Sequence, residues 1–110
     1  GQVLLSITPR DLSFVVEENL SSIFGLFSRH GVRVNMMQNS AVAFTVCLDN
    51  DNRVKPLVME LRGDYEVKWN EGLELLTVRH PDEATLTKLT AGREVLLEQR
   101  SRVTARFVLK

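Results

Sequence analysis

What this chain has little of narrows its nature first. Cysteine occurs once, as Cys47. An internal disulfide is therefore excluded, which fits a reducing compartment and leads us to expect a cytoplasmic protein. No apolar run approaches the roughly 20 residues that a membrane-spanning helix needs, and no charged-then-apolar leader pattern opens the chain. Neither sign of charge prevails, since 14 basic residues face 14 acidic ones. That balance argues against a general affinity for nucleic acid or an anionic membrane. Hydrophobic residues nevertheless make up 44% of the 110 residues, enough for a packed core in one domain of ordinary size. The first residue is Gly1 rather than methionine, so we read the sequence as a piece of a longer protein.

Periodicity supplies the elements. Val3, Leu5 and Ile7 alternate, which predicts a strand over about residues 2–8, broken by Thr8-Pro9-Arg10-Asp11. Leu20, Ile23, Phe24 and Phe27 lie on one face of a helix. Glu17 and Glu18 suit its N-terminal end, Arg29 and His30 its C-terminal end, and Gly31 its left-handed stop. Val32 and Val34 begin a second strand, and Val42, Phe44, Val46 and Leu48 alternate along a third. Gln38-Asn39-Ser40 forms the polar corner between these two strands. Asp49-Asn50-Asp51-Asn52 ends the third strand and offers N-cap oxygens to a second helix with the face Val54, Leu57, Val58 and Leu61. Pro56 is tolerable in its first turn, and Gly63 ends it. Tyr65, Val67 and Trp69 alternate along a fourth strand.

The order β-α-β-β-α-β predicts an α+β ferredoxin-like sandwich, with two helices on one face of a four-stranded antiparallel sheet. The rest of the chain reads differently. Glu71-Gly72 is expected to turn it, Leu73–His80 to form a strand, and Pro81-Asp82 to open a short helix closed by Gly92. Strands marked by Val95 and Leu97 and by Val103, Ala105, Phe107 and Leu109 follow. We therefore expect a domain over residues 1–72 and a truncated β-α-β-β second unit over 73–110. Such a piece cannot bury its sheet alone and must lean on the first unit, on absent sequence or on another subunit.

No catalytic constellation emerges. Cys47 sits mid-strand, away from His30 and His80 at element ends, so we expect a core residue rather than a nucleophile. Two isolated histidines and one cysteine show no metal-ligand spacing. Asp49-Asn50-Asp51 with Glu60 hints at a calcium loop, but Arg53 and Val54 stand where the pattern needs a ligand and a glycine. No glycine-rich phosphate loop is present. An RNA-binding ferredoxin-like domain would need exposed aromatics on the central strands, and strand three offers only Phe44. Arg93, Arg100, Arg102 and Arg106 are the best argument for nucleic acid, but Glu94 and Glu98 interrupt them, and an ion-paired strand edge is the preferred reading.

Three stretches carry a resemblance: "LSSIFGLFSRHGVRVNMMQNSAVAFTVCLDND", "VKWNEGLELLTVRH" and "EVLLEQRSRVTARFVLK". Together they resemble the C-terminal regulatory region of aspartate kinase, of the bacterial type with a shortened second unit. That region is built from ACT domains, small ferredoxin-like units that bind amino acids. The most specific parts are "IFGLFSRHGVRVNMM", the "QNS" corner and "NEGLELLTV". The resemblance implies a parent enzyme that transfers the ATP γ-phosphate to the β-carboxylate of aspartate. It places ATP and Mg in a kinase domain N-terminal to this region, and no catalytic site or cofactor in the region itself. It further implies feedback control by lysine or threonine, homodimer formation through ACT–ACT pairing, and a strand before residue 1 that helps complete the second unit.

By position, the resemblance implies an effector pocket with Ser13, Val16, Asn19 and Leu20 on one side. Val34, Asn35, Gln38, Asn39, Ser40, Ala41 and Val42 form the other. The residue types suit a zwitterion: backbone N–H groups for its carboxylate, and the side-chain carbonyls of Asn35, Gln38 or Asn39 for its ammonium. Asn and Ser also favour plain hairpin turns. Lysine-inhibited relatives often carry acidic residues at the positions of Asn35 and Ala41. A neutral pocket suits threonine, or lysine held through Glu17, Glu18 or water; lysine is preferred because single-function enzymes of this type are commonly lysine-regulated. The alternatives are a structural dimerisation module without effector binding and, more remotely, the RNA-binding domain.

Overall fold

The structure is a computed structural model that describes residues 1–11, 15 and 17–110. Among them the chain divides into two compact units, Gly1–Glu71 and Gly72–Lys110. In the first unit the elements run β1 (Gln2–Pro9), α1 (Glu17–Arg29), β2 (Val34–Asn39), β3 (Phe44–Asp49), α2 (Val54–Leu61) and the beginning of β4 (Tyr65–Arg79). Their spatial order is β2-β3-β1-β4, the order of a ferredoxin-like sandwich.

The alternation in sequence becomes the core. β1 and β3 pair antiparallel with Leu5 opposite Val46 and Ile7 opposite Phe44. Val3, Leu5, Ile7, Phe44, Val46 and Leu48 therefore share one face and are buried against Ile23 and Phe27 of α1 and Val54, Leu57, Val58 and Leu61 of α2. Burying each such side chain contributes on the order of 1.5–3 kcal/mol. The exit of α1 is held by a Schellman motif: Val32 N–H donates to Phe27 C=O at 2.9 Å and Gly31 N–H to Ser28 C=O at 3.1 Å. Gly31 has φ of 66°, which explains the glycine there. Cys47 lies on the opposite sheet face, fully buried, with its Sγ 3.1 Å from Gln2 Oε1.

Three expectations are corrected. The chain does not turn at Glu71-Gly72: β4 continues through it for 15 residues. Gly72 takes φ of 71° inside the strand, so its freedom serves a local irregularity rather than a reversal. Val42 does not belong to β3, which begins at Phe44; the residue lies in the β2–β3 connection and is 57% exposed. The acidic cluster after β3 gives α2 no side-chain N-cap. The cap position is Arg53, and Asp51 Oδ1 accepts from its N–H at 2.8 Å, one residue before the helix.

The second unit contains the later part of β4, α3 (Glu83–Thr90), β5 (Val95–Arg100) and β6 (Thr104–Leu109). β6 lies between β4 and β5, antiparallel to both. Leu76, Val78, Ala105, Phe107 and Leu109 pack on Leu86 of α3. Asp82 caps this helix by accepting from Thr85 N–H at 2.7 Å, and that bond holds its carboxyl below the usual carboxylate range. Of the four clustered arginines, Arg93 pairs with Glu74 at 3.0 Å, and Arg100 with Glu83 and Glu98 at 2.6 and 3.0 Å. These pairings, Glu83 first, raise the pKa of Arg100.

Candidate functional site

The β2–β3 connection is a compact polar corner. Ser40 N–H donates to Ala43 C=O at 2.9 Å. The Ser40 hydroxyl lies 3.1 Å from both the carbonyl and the N–H of Ala43, donating to one and accepting from the other. Serine suits this place because one hydroxyl can do both. Val15, in the segment before α1, donates its N–H to Ala41 C=O at 2.7 Å. That bond ties the two sides that the resemblance assigned to the pocket. Gln38, Asn39, Ser40, Ala41 and Val42 are all exposed around it.

The other expected residues lie elsewhere. Ser13 and Val16 fall outside the described residues. Leu20 and Val34 are half-buried and pack against the hydrophobic core. Asn35 stands at the far end of β2, about 13 Å along the strand from Asn39 at an ordinary strand rise. Its Nδ2 donates to Asp49 Oδ1 at 2.8 Å and to Gln2 Oε1 at 2.9 Å, and Gln2 Nε2 donates to Asp49 Oδ1 at 2.9 Å. The bonds from Gln2 and then Asn35 hold the Asp49 carboxyl below its ordinary range. This network joins the ends of β1, β2 and β3.

Asn19 lines a cavity of about 450 Å³ with Pro9, Arg10, Asp11, Gly63, Asp64 and Tyr65. The Arg10 guanidinium donates to the Arg62 carbonyl from Nε at 3.0 Å and from Nη2 at 2.5 Å. The cavity thus presents one cation and two carboxylates, both signs that a zwitterion can use. Sequence reasoning expected Asn19 beside the corner, whereas the structure lines this cavity with it; that reasoning also missed Val15, whose part is played by its backbone and leaves no signal in residue type.

It also missed a second corner of the same construction. Ser101 N–H donates to Thr104 C=O at 2.8 Å, and Thr104 N–H to Ser101 Oγ at 3.2 Å. His80, just before α3, donates its N–H to Val103 C=O at 2.7 Å. The shared Ser-x-Val at residues 40–42 and 101–103 was the available signal. Among the described residues, no group of three or more His, Cys, Asp or Glu side chains could hold a metal ion.

No protein-family model matches the chain, and no curated protein does either. Solved structures do. A chain from Porphyromonas gingivalis W83, assigned as a C-terminal regulatory domain of aspartate kinase, superposes with a TM-score of 0.80 at 18% identity; the match covers all of this chain and 81% of that one. E. coli aspartokinase III in complex with lysine and aspartate gives 0.75 at 21% identity, over 97% of this chain and 27% of that one. The regulatory subunit of aspartate kinase from Thermus thermophilus gives 0.70 at 11% identity, over 98% and 82%. The chain therefore spans about a quarter of the E. coli enzyme and most of the two regulatory chains. It has the ferredoxin-like, ACT-type fold of aspartate kinase regulatory regions.

Proposed function

We propose that this chain is an amino-acid-responsive regulatory region of an aspartate kinase, acting on a kinase domain N-terminal to it in the parent protein. That domain would phosphorylate aspartate with ATP and Mg. The observation that carries the reading is the Val15–Ala41 hydrogen bond at 2.7 Å. It ties Val15, just before α1, to the β2–β3 corner, so that a ligand at either would be felt by both. The likeness of fold to aspartate kinase regulatory chains supports it, and one of those structures carries lysine.

The proposed effector contacts are Ser13, Val16, Asn19, Gln38, Asn39, Ser40, Ala41 and Val42. Gln38 and Asn39 offer side-chain carbonyls to an ammonium, and backbone N–H groups near the start of α1 take a carboxylate. Lysine remains the preferred effector, with Glu17 and Glu18 as acceptors for its distal ammonium, and threonine the alternative. Asn35 is reassigned to holding β2 in register through Asp49 and Gln2. Two copies would pair through the first unit, and the effector would favour the inhibited arrangement by a coupling of about 5–150-fold.

A second reading, a pairing module without effector, is favoured by Met37 and Val42. They stand 44% and 57% exposed on and beside the edge strand β2. Calorimetric titration with lysine and with threonine, with the mass in solution recorded, separates the two. Saturable heat with one amino acid, lost in Gln38→Ala, supports the effector site. Dimers without heat in this chain, together with a parent enzyme indifferent to both amino acids, would leave only the pairing role.

A further inference from the structure

The junction between α2 and β4 brings two side chains to the cavity that Arg10 enters from the end of β1. Gly63 N–H donates to Glu60 C=O and Asp64 N–H to Leu61 C=O, both at 3.1 Å, so the end of α2 is tightened and β4 begins at Tyr65 without a longer loop. Arg10 stands one residue past β1. Arg10, Asp64 and Tyr65 all line the cavity, and all belong to the first unit. Its volume of about 450 Å³ lies within the range of small-ligand pockets.

Three groups in this cavity are uncommitted. Tyr65 is 5% exposed and its ring belongs to the core, yet its hydroxyl has no hydrogen-bond partner among the described residues. A hydroxyl so placed costs free energy unless a partner completes it. The Asp64 carboxylate is exposed and makes neither a hydrogen bond nor an ion pair among the described residues. Arg10 uses Nε and Nη2 on the Arg62 carbonyl. A neutral carbonyl fixes the guanidinium in place without cancelling its charge, and no carboxylate among the described residues pairs with it. Capping the end of α2 would account for Arg10 alone. It would not account for an unpartnered hydroxyl and an unpartnered carboxylate in the same cavity. Asp11 and Asn19 also line it, but both are engaged in other interactions and the argument needs neither.

We propose that this cavity is a second amino-acid site, in which Arg10 holds the carboxylate of a zwitterionic α-amino acid and Asp64 with the Tyr65 hydroxyl holds its ammonium. A simple anion would meet Asp64 and a simple cation would meet Arg10, whereas a molecule that carries both charges satisfies both. The site goes beyond the effector reading of the Gln38–Ser40 corner. None of its three groups is among the effector contacts proposed there, and it stands or falls without them.

Threonine and lysine, titrated separately into the ¹⁵N-labelled chain at low ionic strength, test the site, with acetate and methylammonium as the two halves of the zwitterion. Saturable amide shifts at Arg10 and from Gly63 to Tyr65 are expected with at least one of the amino acids, and much weaker binding of either half. Tyr65→Phe keeps the ring in the core and removes only the oxygen; it should weaken the binding about tenfold. Asp64→Asn should weaken it about tenfold or more, and Gln38→Ala should leave it unchanged. Shifts confined to the Ser40 corner and lost in Gln38→Ala would overturn this site and leave the effector reading standing. No saturable shift from Gly63 to Tyr65, binding of acetate or methylammonium as tight as that of the amino acids, or binding unchanged in both Tyr65→Phe and Asp64→Asn would overturn it as well.

Discussion

Val15 and Ala41 are 26 residues apart in sequence and 2.7 Å apart at their backbone N–H and C=O. This bond determines what the polar corner can do. It engages the Ala41 carbonyl, so that on the proposed reading the exposed side chains of Gln38 and Asn39 are the groups that meet an effector. The turn proper is held by Ser40. Ser40→Ala should therefore cost about 0.5–1.5 kcal/mol in urea unfolding, whereas Gln38→Ala should leave stability within about 0.5 kcal/mol and act only on amino-acid binding. A stability loss in Gln38→Ala as large as that in Ser40→Ala would contradict this division.

The Gln2–Asn35–Asp49 network predicts a pH dependence. Asp49 has a folded pKa below its ordinary 3.8. Its contribution to stability is thus fully present above that value and is lost as pH falls through the lower, folded one. Asp49→Asn should be less stable than the parent chain at pH 7. The gap should narrow on going from pH 4 toward pH 2, by about the margin that the carboxylate bonds contribute. Denaturant midpoints across that range measure it; a gap that widened toward acid would have the wrong sign.

Phe44 should be far more sensitive to truncation than Trp69. Phe44 is 1% exposed and makes an edge-on contact with Phe24, ring centroids 5.4 Å apart. Phe44→Ala should cost about 3–5 kcal/mol. Trp69 also packs on the core, but its Nε1 is buried with no hydrogen-bond acceptor among the described residues. Trp69→Phe removes that unsatisfied donor, and the gain of about 1–3 kcal/mol offsets lost apolar area. Its stability should fall within about 1 kcal/mol of the parent, which thermal unfolding can decide.

Gly72 offers a test of the uninterrupted β4. A Cβ placed there meets nothing within 4 Å, so any cost of Gly72→Ala comes from the backbone alone. With φ of 71° the substitution should destabilise by about 1–2 kcal/mol. Gly25→Ala, in α1 and equally free of contacts, should instead stabilise by about 0.5–1 kcal/mol. Equal effects at the two sites would refute the strained conformation at Gly72.

How the fold was written in the sequence can be seen element by element. Leu20, Ile23 and Phe27 marked α1, and Phe44, Val46 and Leu48 marked β3, because burial of one face imposes its period on the residues. Gly31 marked the helix stop, because only a glycine takes its φ without strain. Gly72 misled for the same reason: a glycine reports that the backbone is unusual, not whether the chain then reverses or goes on. Val42 misled because an apolar residue in phase with a strand cannot reveal that its hydrogen bonds have already ended.

The sequence by itself determined which side chains seek the core, where most elements begin and end, and that no nucleophile or metal-ligand pattern is spelled out. The tertiary structure alone decided that Val15 meets Ala41, that Asn35 serves Asp49 rather than the corner, and that Arg10 and Tyr65 share a cavity. The physical reason is common to all three. They depend on backbone bonds and strand register between segments remote in sequence, and such pairings leave no trace in the type of any one residue.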